Sequence, residues 1–350
     1  MAARIRRPRR PRAGVPTWAI RRTGVEARRR ERRDGLVQRV DLLARWLGAD
    51  PSSREPPDRR PLHTLIGMDT GTDWRRRLGE VGVWRGGPDL DATLVRTIEG
   101  LGYGTVWIGG SPSSDLRQAE ALLEATERLQ VATGIVNIWR SDAAELARSF
   151  ARIEARHPGR LLLGVGSGHR EATPERVRPV EAMTRYLDVL DEGGVPVAAR
   201  VLSALGPRML RLAAERSAGT HPYLTIPAQT AEERAAVGAA ALVAPEQTVV
   251  LDADPVSARR SARAFLARYL GMENYTRTML RGGFSPEDVA GNGSDELVDR
   301  IVVHGDAEAL AAAVRAHLDA GADHVCVQVQ PAATDPVPAL RGLAAALGSS

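Results

Sequence analysis

The stretch His157-Pro-Gly-Arg-Leu-Leu-Leu-Gly-Val-Gly-Ser-Gly-His169 runs an apolar strand directly into a glycine-rich loop that ends on an ionisable residue. Arg160 to Val165 has the length of a buried strand and follows the turn His157-Pro158-Gly159. The glycines beyond it let backbone amides approach a phosphate or a flat ring closely. A dinucleotide fingerprint needs glycine at the sixth position of Gly164-Val-Gly-Ser-Gly-His169, and His169 stands there instead. The segment therefore reads as a ligand-facing strand end that lacks the dinucleotide-binding signature.

On both sides of this strand the chain alternates strand and amphipathic helix. Strands are expected at Glu80 to Trp84, Gly104 to Ile108, Gln130 to Val136, Arg160 to Val165, Arg200 to Ala204, Gly219 to Leu224, Thr248 to Asp252 and His324 to Val329. Between them, apolar residues at three- and four-residue spacing mark helices, as in Ala143 to Ala155, Pro207 to Arg216 and Ala307 to Ala320. Eight strands with helices between them over residues 76–348 match an α/β fold of the (β/α)8 TIM barrel type. A doubly wound open sheet is the other topology such a pattern allows, since strand count alone does not prove closure. The longest break in the rhythm, Leu270 to Asp299, falls between the seventh and eighth strands and reads as a helical insertion or lid over the active face.

Charge divides the chain. The 350 residues carry a formal charge of +5, but residues 1–60 hold 18 arginines against seven acids, which gives +11 there and −6 for the remainder. Residues 1–75 are rich in Arg and Pro and bury little, so they read as a mostly disordered extension to the barrel. Met68 is a candidate true start, which would place residues 1–67 outside the native protein. An arm that binds nucleic acid or a membrane surface is the competing reading of the extension. The body carries neither signal, and the chain as a whole is expected to bind no nucleic acid and no membrane.

All 48 basic residues are arginine, so Schiff-base chemistry on lysine and a phosphate-binding P-loop are excluded. The single cysteine, Cys326, excludes an internal disulfide and a cysteine-rich metal cluster and suits a reducing cytoplasm. No apolar run reaches the roughly 20 residues of a membrane span. There is no His-Glu-x-x-His, no carboxylate cluster and no Gly-x-Ser-x-Gly, so no metal site and no serine triad is expected.

In a barrel the C-terminal strand ends face the site. They supply Trp84 after the first strand, Gly134, Ile135, Asn137 and Trp139 along and after the third, and Ser167, Gly168 and His169 after the fourth. The fifth supplies Ala204-Leu205-Gly206 and the sixth His221. This surface is apolar, aromatic and glycine-rich, which suits a flat conjugated cofactor. The Ala204-Leu205-Gly206 turn opens a helix and offers a phosphate seat. His169 is the candidate general acid or base, with helix capping as its alternative role.

Five segments together resemble the luciferase-like monooxygenase superfamily, and in particular its coenzyme F420-dependent oxidoreductases. They are Val131-Ala-Thr-Gly-Ile-Val-Asn-Ile-Trp139, Pro158-Gly-Arg-Leu-Leu-Leu-Gly-Val-Gly-Ser-Gly168, Leu202-Ser-Ala-Leu-Gly-Pro-Arg-Met-Leu210, Ala218-Gly-Thr-His-Pro-Tyr223 and Ala320-Gly-Ala-Asp-His-Val-Cys-Val-Gln328. The resemblance covers about residues 78–335. It implies a barrel with a flavin or deazaflavin in its mouth, backed by a non-prolyl cis peptide matching Gly134-Ile135. It further implies a cofactor phosphate on the turn Ala204 to Gly206 with help from Thr225, and Ser167-Gly168 beside the ring.

Two positions depart from the sugar-phosphate dehydrogenases of that group. His169 replaces a glutamate, and Gly109-Gly110 replaces an Asp-His pair. The resemblance thus implies hydride transfer between F420 and a small organic substrate, with His169 handling the proton and Trp84, Asn137, Trp139 and His221 lining the substrate pocket. FMN with reduced-flavin monooxygenase chemistry is the alternative cofactor, and a non-catalytic flavin-binding barrel is a further alternative. A homodimer is expected, as is usual in this superfamily.

Overall fold

A computed structural model describes residues 73–168 and 178–348. Residues 1–72 of the expected extension, Met68 and His169 lie outside the described residues; the last three residues of the expected extension, 73–75, instead open a helix, because the buried Trp74 anchors them. The fold is a parallel α/β barrel of the TIM type, built on an eleven-stranded sheet.

Strands β1 (Val81–Gly86), β2 (Thr105–Gly109), β3 (Gln130–Gly134) and β5 (Leu161–Gly166) run in that order, with the short β4 (Val136–Asn137) continuing β3 against β5. They are followed by β6 (Arg200–Leu202), β7 (Gly219–Thr220) and β8 (Leu242–Val243). β9 (Glu246–Leu251) pairs with β11 (Val325–Val329), and β11 pairs with β1. β8 and β9 form one barrel strand interrupted at Ala244-Pro245, where proline has no amide to donate. Hydrogen bonds on both edges of this interruption close the barrel. Ala244 N donates to Thr220 O at 3.0 Å and Glu246 N to Pro222 O at 3.0 Å on one edge. On the other edge Asp323 N donates to Val243 O at 2.8 Å and Cys326 N to Pro245 O at 3.0 Å.

The strands are buried on both faces, as a closed parallel sheet requires. Outward residues such as Val106, Ile108, Val131, Leu163, Val325 and Val327 join the main core with the surrounding helices. The inward layer holds Trp107, Ala132, Leu162, Val201, Leu242, Ala244 and Cys326. Helix α1 (Asp73–Leu78), which precedes the first expected strand, adds Trp74 and Leu78 to that layer and closes the N-terminal end. The Trp74 indole donates to Ala198 O at 2.6 Å. Buried Trp107 donates to His324 Nε2 at 3.0 Å, and His324 Nδ1 reaches Gly79 O at 2.7 Å.

The segment between the last two barrel strands carries helices across the expected insertion, Leu270 to Asp299, and one short strand beyond it. It contains helices α8 (Pro255–Leu270), α9 (Glu273–Arg281), α10 (Asp295–Ile301) and α11 (Ala307–Asp319), the numbering counting α2 to α7 as the helices between β1 and β8. It also contains β10 (Val302–Gly305), which pairs with β9 in the register Val302↔Thr248 to Gly305↔Leu251. Four residues hidden between two helical patterns give no separable strand period, and the sheet claims them. The segment's apolar cluster includes Tyr269, Tyr275, Met279 and Phe284, packed on Tyr223, Leu224 and Ile226 after β7.

Candidate functional site

The β3–β5 ladder runs to Ala132↔Leu162 and resumes with β4 at Val136↔Val165, so one extra residue sits on the β3 side. This is a β-bulge, which re-aims the chain at a barrel rim. Within it the Gly134–Ile135 peptide is cis. The Thr133 hydroxyl replaces the missing ladder bonds, accepting from Gly164 N at 2.8 Å and donating to Gly164 O at 2.8 Å.

The bulge explains the glycines of the 164–168 loop better than ligand access does. A Cβ on Gly164 would run into the Thr133 carbonyl oxygen, and one on Gly166 would stand 2.6 Å from the Ile135 side chain. Their missing side chains make room for the neighbouring strand. Only Gly168 has a positive φ, +56°, and its free face is taken by the Asn137 amide. Asn137 Oδ1 in turn accepts from Trp139 N at 3.0 Å, and the Trp139 indole donates to Ser167 O at 2.7 Å. Asn137, Trp139, Ser167 and Gly168 are thus brought together, with Trp139 as a brace for the loop.

Trp84, Gly134 and His221 form a second group. A Cβ on Gly134 would lie 2.7 Å from Trp84 Nε1 and 3.3 Å from His221 Nε2, so both rings face the bulge. The buried Trp84 Nε1 has no hydrogen-bond partner. His221 is 2% exposed and stacks on Trp107, with ring centroids 4.1 Å apart at 19°. Its Nδ1 lies 2.8 Å from the Ala244 carbonyl oxygen, so that nitrogen carries the proton and Nε2 is left as an acceptor. Burial pushes its pKa down to about 4, which keeps the ring neutral.

Ala204, Leu205 and Gly206 lead into α6 (Pro207–Arg216), whose N-cap Gly206 makes no side-chain cap. Pro207 has no amide and Met209 N turns back to Gly206 O at 3.0 Å, so the Gly206 and Arg208 amides are the donors this start can offer, and the helix dipole favours an anion there. Thr225, 2% exposed, has a hydroxyl without a partner just ahead of α7 (Pro227–Val237). Leu205 packs on the cluster that contains Leu224 and Ile226. A bound ester phosphate is the group that such orphaned donors fit.

Sequence reasoning passes over Glu246, which is 1% exposed at the start of β9. Thr248 Oγ1 donates to its Oε1 at 2.5 Å and Leu224 N to its Oε2 at 3.4 Å. Burial raises its pKa to about 8, so it is protonated at neutral pH. Beside it, the Tyr223 hydroxyl donates to Gln328 Oε1 at 2.8 Å and stands 2.9 Å from the Tyr269 hydroxyl. The available signal is one carboxylate inside the apolar run Ala239 to Leu251, but the sequence pattern starts the strand only at Thr248. Among the described residues, no group of three or more His, Cys, Asp or Glu is placed to hold a metal. A groove of about 400 Å³ lined by Pro196, Val197, Ala218 and Ala241 lies at the opposite, N-terminal end of the strands, where a barrel carries stability. No helix of the described residues is long and apolar enough to cross a membrane.

A model of the luciferase-like monooxygenase family matches residues 88–192, the segment that carries the β3 bulge and the 164–168 loop. Over that segment the chain resembles luciferase-like enzymes. Over 61 residues it is 39% identical to an F420-dependent glucose-6-phosphate dehydrogenase of Rhodococcus erythropolis; the match takes in 17% of this chain and 18% of that enzyme's length. An F420-dependent secondary alcohol dehydrogenase, solved with an F420-acetone adduct, superimposes with a TM-score of 0.61 at 15% identity. That match covers 77% of this chain and 98% of the dehydrogenase. The oxygenating constituent of 3,6-diketocamphane monooxygenase from Pseudomonas putida, in complex with FMN, superimposes with a TM-score of 0.57 at 14% identity over 77% of this chain and 98% of that one. Both solved structures share this barrel fold, and one carries each of the two cofactors in question.

Proposed function

We propose that this luciferase-like barrel is an oxidoreductase that transfers a hydride between coenzyme F420 and a small organic substrate at the C-terminal mouth. The observation that supports it most is the β3 bulge, which turns that strand toward the mouth beside an uncapped helix start at Gly206 and the unpaired Thr225 hydroxyl. In this reading Gly134 and Ile135 back the ring, and Ala204, Leu205, Gly206 and Thr225 receive the phosphate. Ser167 and Gly168, braced by Trp139, form one wall. Trp84, Asn137 and His221 border the substrate side, and His169 is the candidate proton-handling group.

When bound, the deazaflavin supplies a two-electron hydride donor or acceptor. The chain's part is to orient and desolvate. The Trp107–His221 stack fixes the floor, and the neutral His221 Nε2 offers an acceptor in a site shielded from water. The match to an F420-dependent dehydrogenase favours the deazaflavin. Titration of the purified protein with F420 and with FMN, followed by ligand fluorescence, tests the reading. F420 is expected to bind at micromolar concentration. Binding of FMN alone would replace the reading with an FMN-dependent monooxygenase, and binding of neither would leave a barrel without this chemistry.

A further inference from the structure

Arg281, the last residue of α9 in the inserted segment, lies exposed at the rim and reaches back across it to the 204–206 turn. One terminal nitrogen, Nη2, donates to Leu205 O at 2.7 Å and contacts Thr278 Oγ1 at 2.9 Å. Both partners are neutral. Arg259, in the same inserted segment, is by contrast matched by Asp295 and Asp299. Glu233, whose Oε2 is buried without a hydrogen-bond partner, feels the Arg281 charge but makes no ion pair with it, and burial drives its pKa upward.

Three elements that are far apart in sequence therefore place positive character and free donors together. They are the N-terminus of the ten-residue α6, the Thr225 hydroxyl and the guanidinium of Arg281. The Thr225 hydroxyl is the independent sign of a ligand, since a buried hydroxyl without a partner is costly to keep. An arginine fork with donors to spare is matched to the oxygens of a phosphate.

We propose that Arg281 carries the inserted segment into an anion site with Gly206 and Thr225, so that the barrel selects a phosphorylated cofactor over the same ring system without its phosphate. This rests on the reading of the mouth as a cofactor site and adds to it a residue from outside the eight-stranded framework. It also gives the insertion a binding task in addition to its packing on Tyr223, Leu224 and Ile226.

The test compares wild type with Arg281→Gln and Arg281→Lys. Dissociation constants are measured by fluorescence for F420 and for its chromophore without phosphate, and for FMN and riboflavin. Arg281→Gln is expected to weaken the phosphorylated member of the bound pair at least tenfold and the unphosphorylated member less than twofold, with Arg281→Lys between. Equal weakening of both members, or no change in either, overturns the proposal, because a merely structural role would act on both. Inorganic phosphate is the probe that stands apart from the cofactor reading. It should raise the melting temperature of wild type above that in sodium chloride of equal ionic strength, and should fail to do so in Arg281→Gln. If no ring compound binds, the cofactor reading falls and the phosphate arm alone decides. A phosphate effect identical in wild type and variant overturns the proposal.

Discussion

Thr133 and Gly164 exchange two hydrogen bonds through a side chain where a regular ladder would use two backbones. The hydroxyl is the hinge pin of the bulge, since it satisfies a buried amide and a buried carbonyl that β3 has moved away from. Thr133→Val keeps the shape and removes both partners. It is expected to cost about 2–6 kcal/mol, from about 1–3 kcal/mol for each of the two buried groups left unpaired, read as a lower urea midpoint at unchanged slope. Thr133→Ser should recover most of the loss.

Two glycines of the site should respond in opposite ways to alanine. At Gly164 a Cβ would collide with the backbone oxygen of Thr133, which cannot yield without disturbing the bulge. Gly164→Ala should lower stability by about 3 kcal/mol or more, at the upper end of overpacking costs. Gly206 has open space around its Cβ position and an ordinary φ of −121°. Gly206→Ala should leave the urea midpoint nearly unchanged, and any effect should fall on ligand binding.

The barrel is legible in the sequence because its strands are short apolar runs between clear helices, and the order of the strand ends alone assigns Gly134, Ser167, Gly206 and His221 to one face. Sequence does not reveal how neighbouring strands fill one another's gaps. The glycines at 164 and 166 look the same in sequence whether a ligand or the Ile135 side chain stands opposite them. Glu246 escapes notice because Pro245 splits the strand that bears it, and β10 because its pairing partner is more than 50 residues away.

Thr225→Val should separate stability from binding. The threonine hydroxyl is buried and unpaired, so valine is expected to stabilise the protein slightly, by about 1 kcal/mol, by removing an unsatisfied group. Affinity for the phosphorylated cofactor should fall. Thermal melting and the F420 titration on the same samples check both signs; loss of stability without loss of affinity would show that the hydroxyl serves the fold.

Stability should peak near pH 6.5. His221, His317 and His324 have folded pKa values of about 4 through burial, against 6.5 when free. The unfolded chain therefore binds more protons between about pH 4 and 6.5, and stability rises with pH across that window. Glu246 acts in the other direction. Its folded pKa of about 8 lies above the 4.5 of a free glutamate, so its contribution is complete below 4.5 and is lost as pH rises toward 8. Above pH 6.5 the histidine contributions level off and the Glu246 slope remains, up to about 1.4 kcal/mol per pH unit for one proton, alongside that of the buried Glu233, whose pKa burial also raises. Glu246→Gln should make the alkaline limb shallower between pH 6.5 and 8 in urea titrations and leave the acid limb in place.

The pairing of β10 with β9 has a mechanical consequence. Residues 302–305 are laced into the sheet by main-chain hydrogen bonds, so this part of the insertion cannot swing aside without tearing the ladder it belongs to. The rim next to β9 is a cast socket whose contour exists before a ligand arrives. A ligand seated along that edge would meet a contour already formed, and residues 302–305 would not close over it.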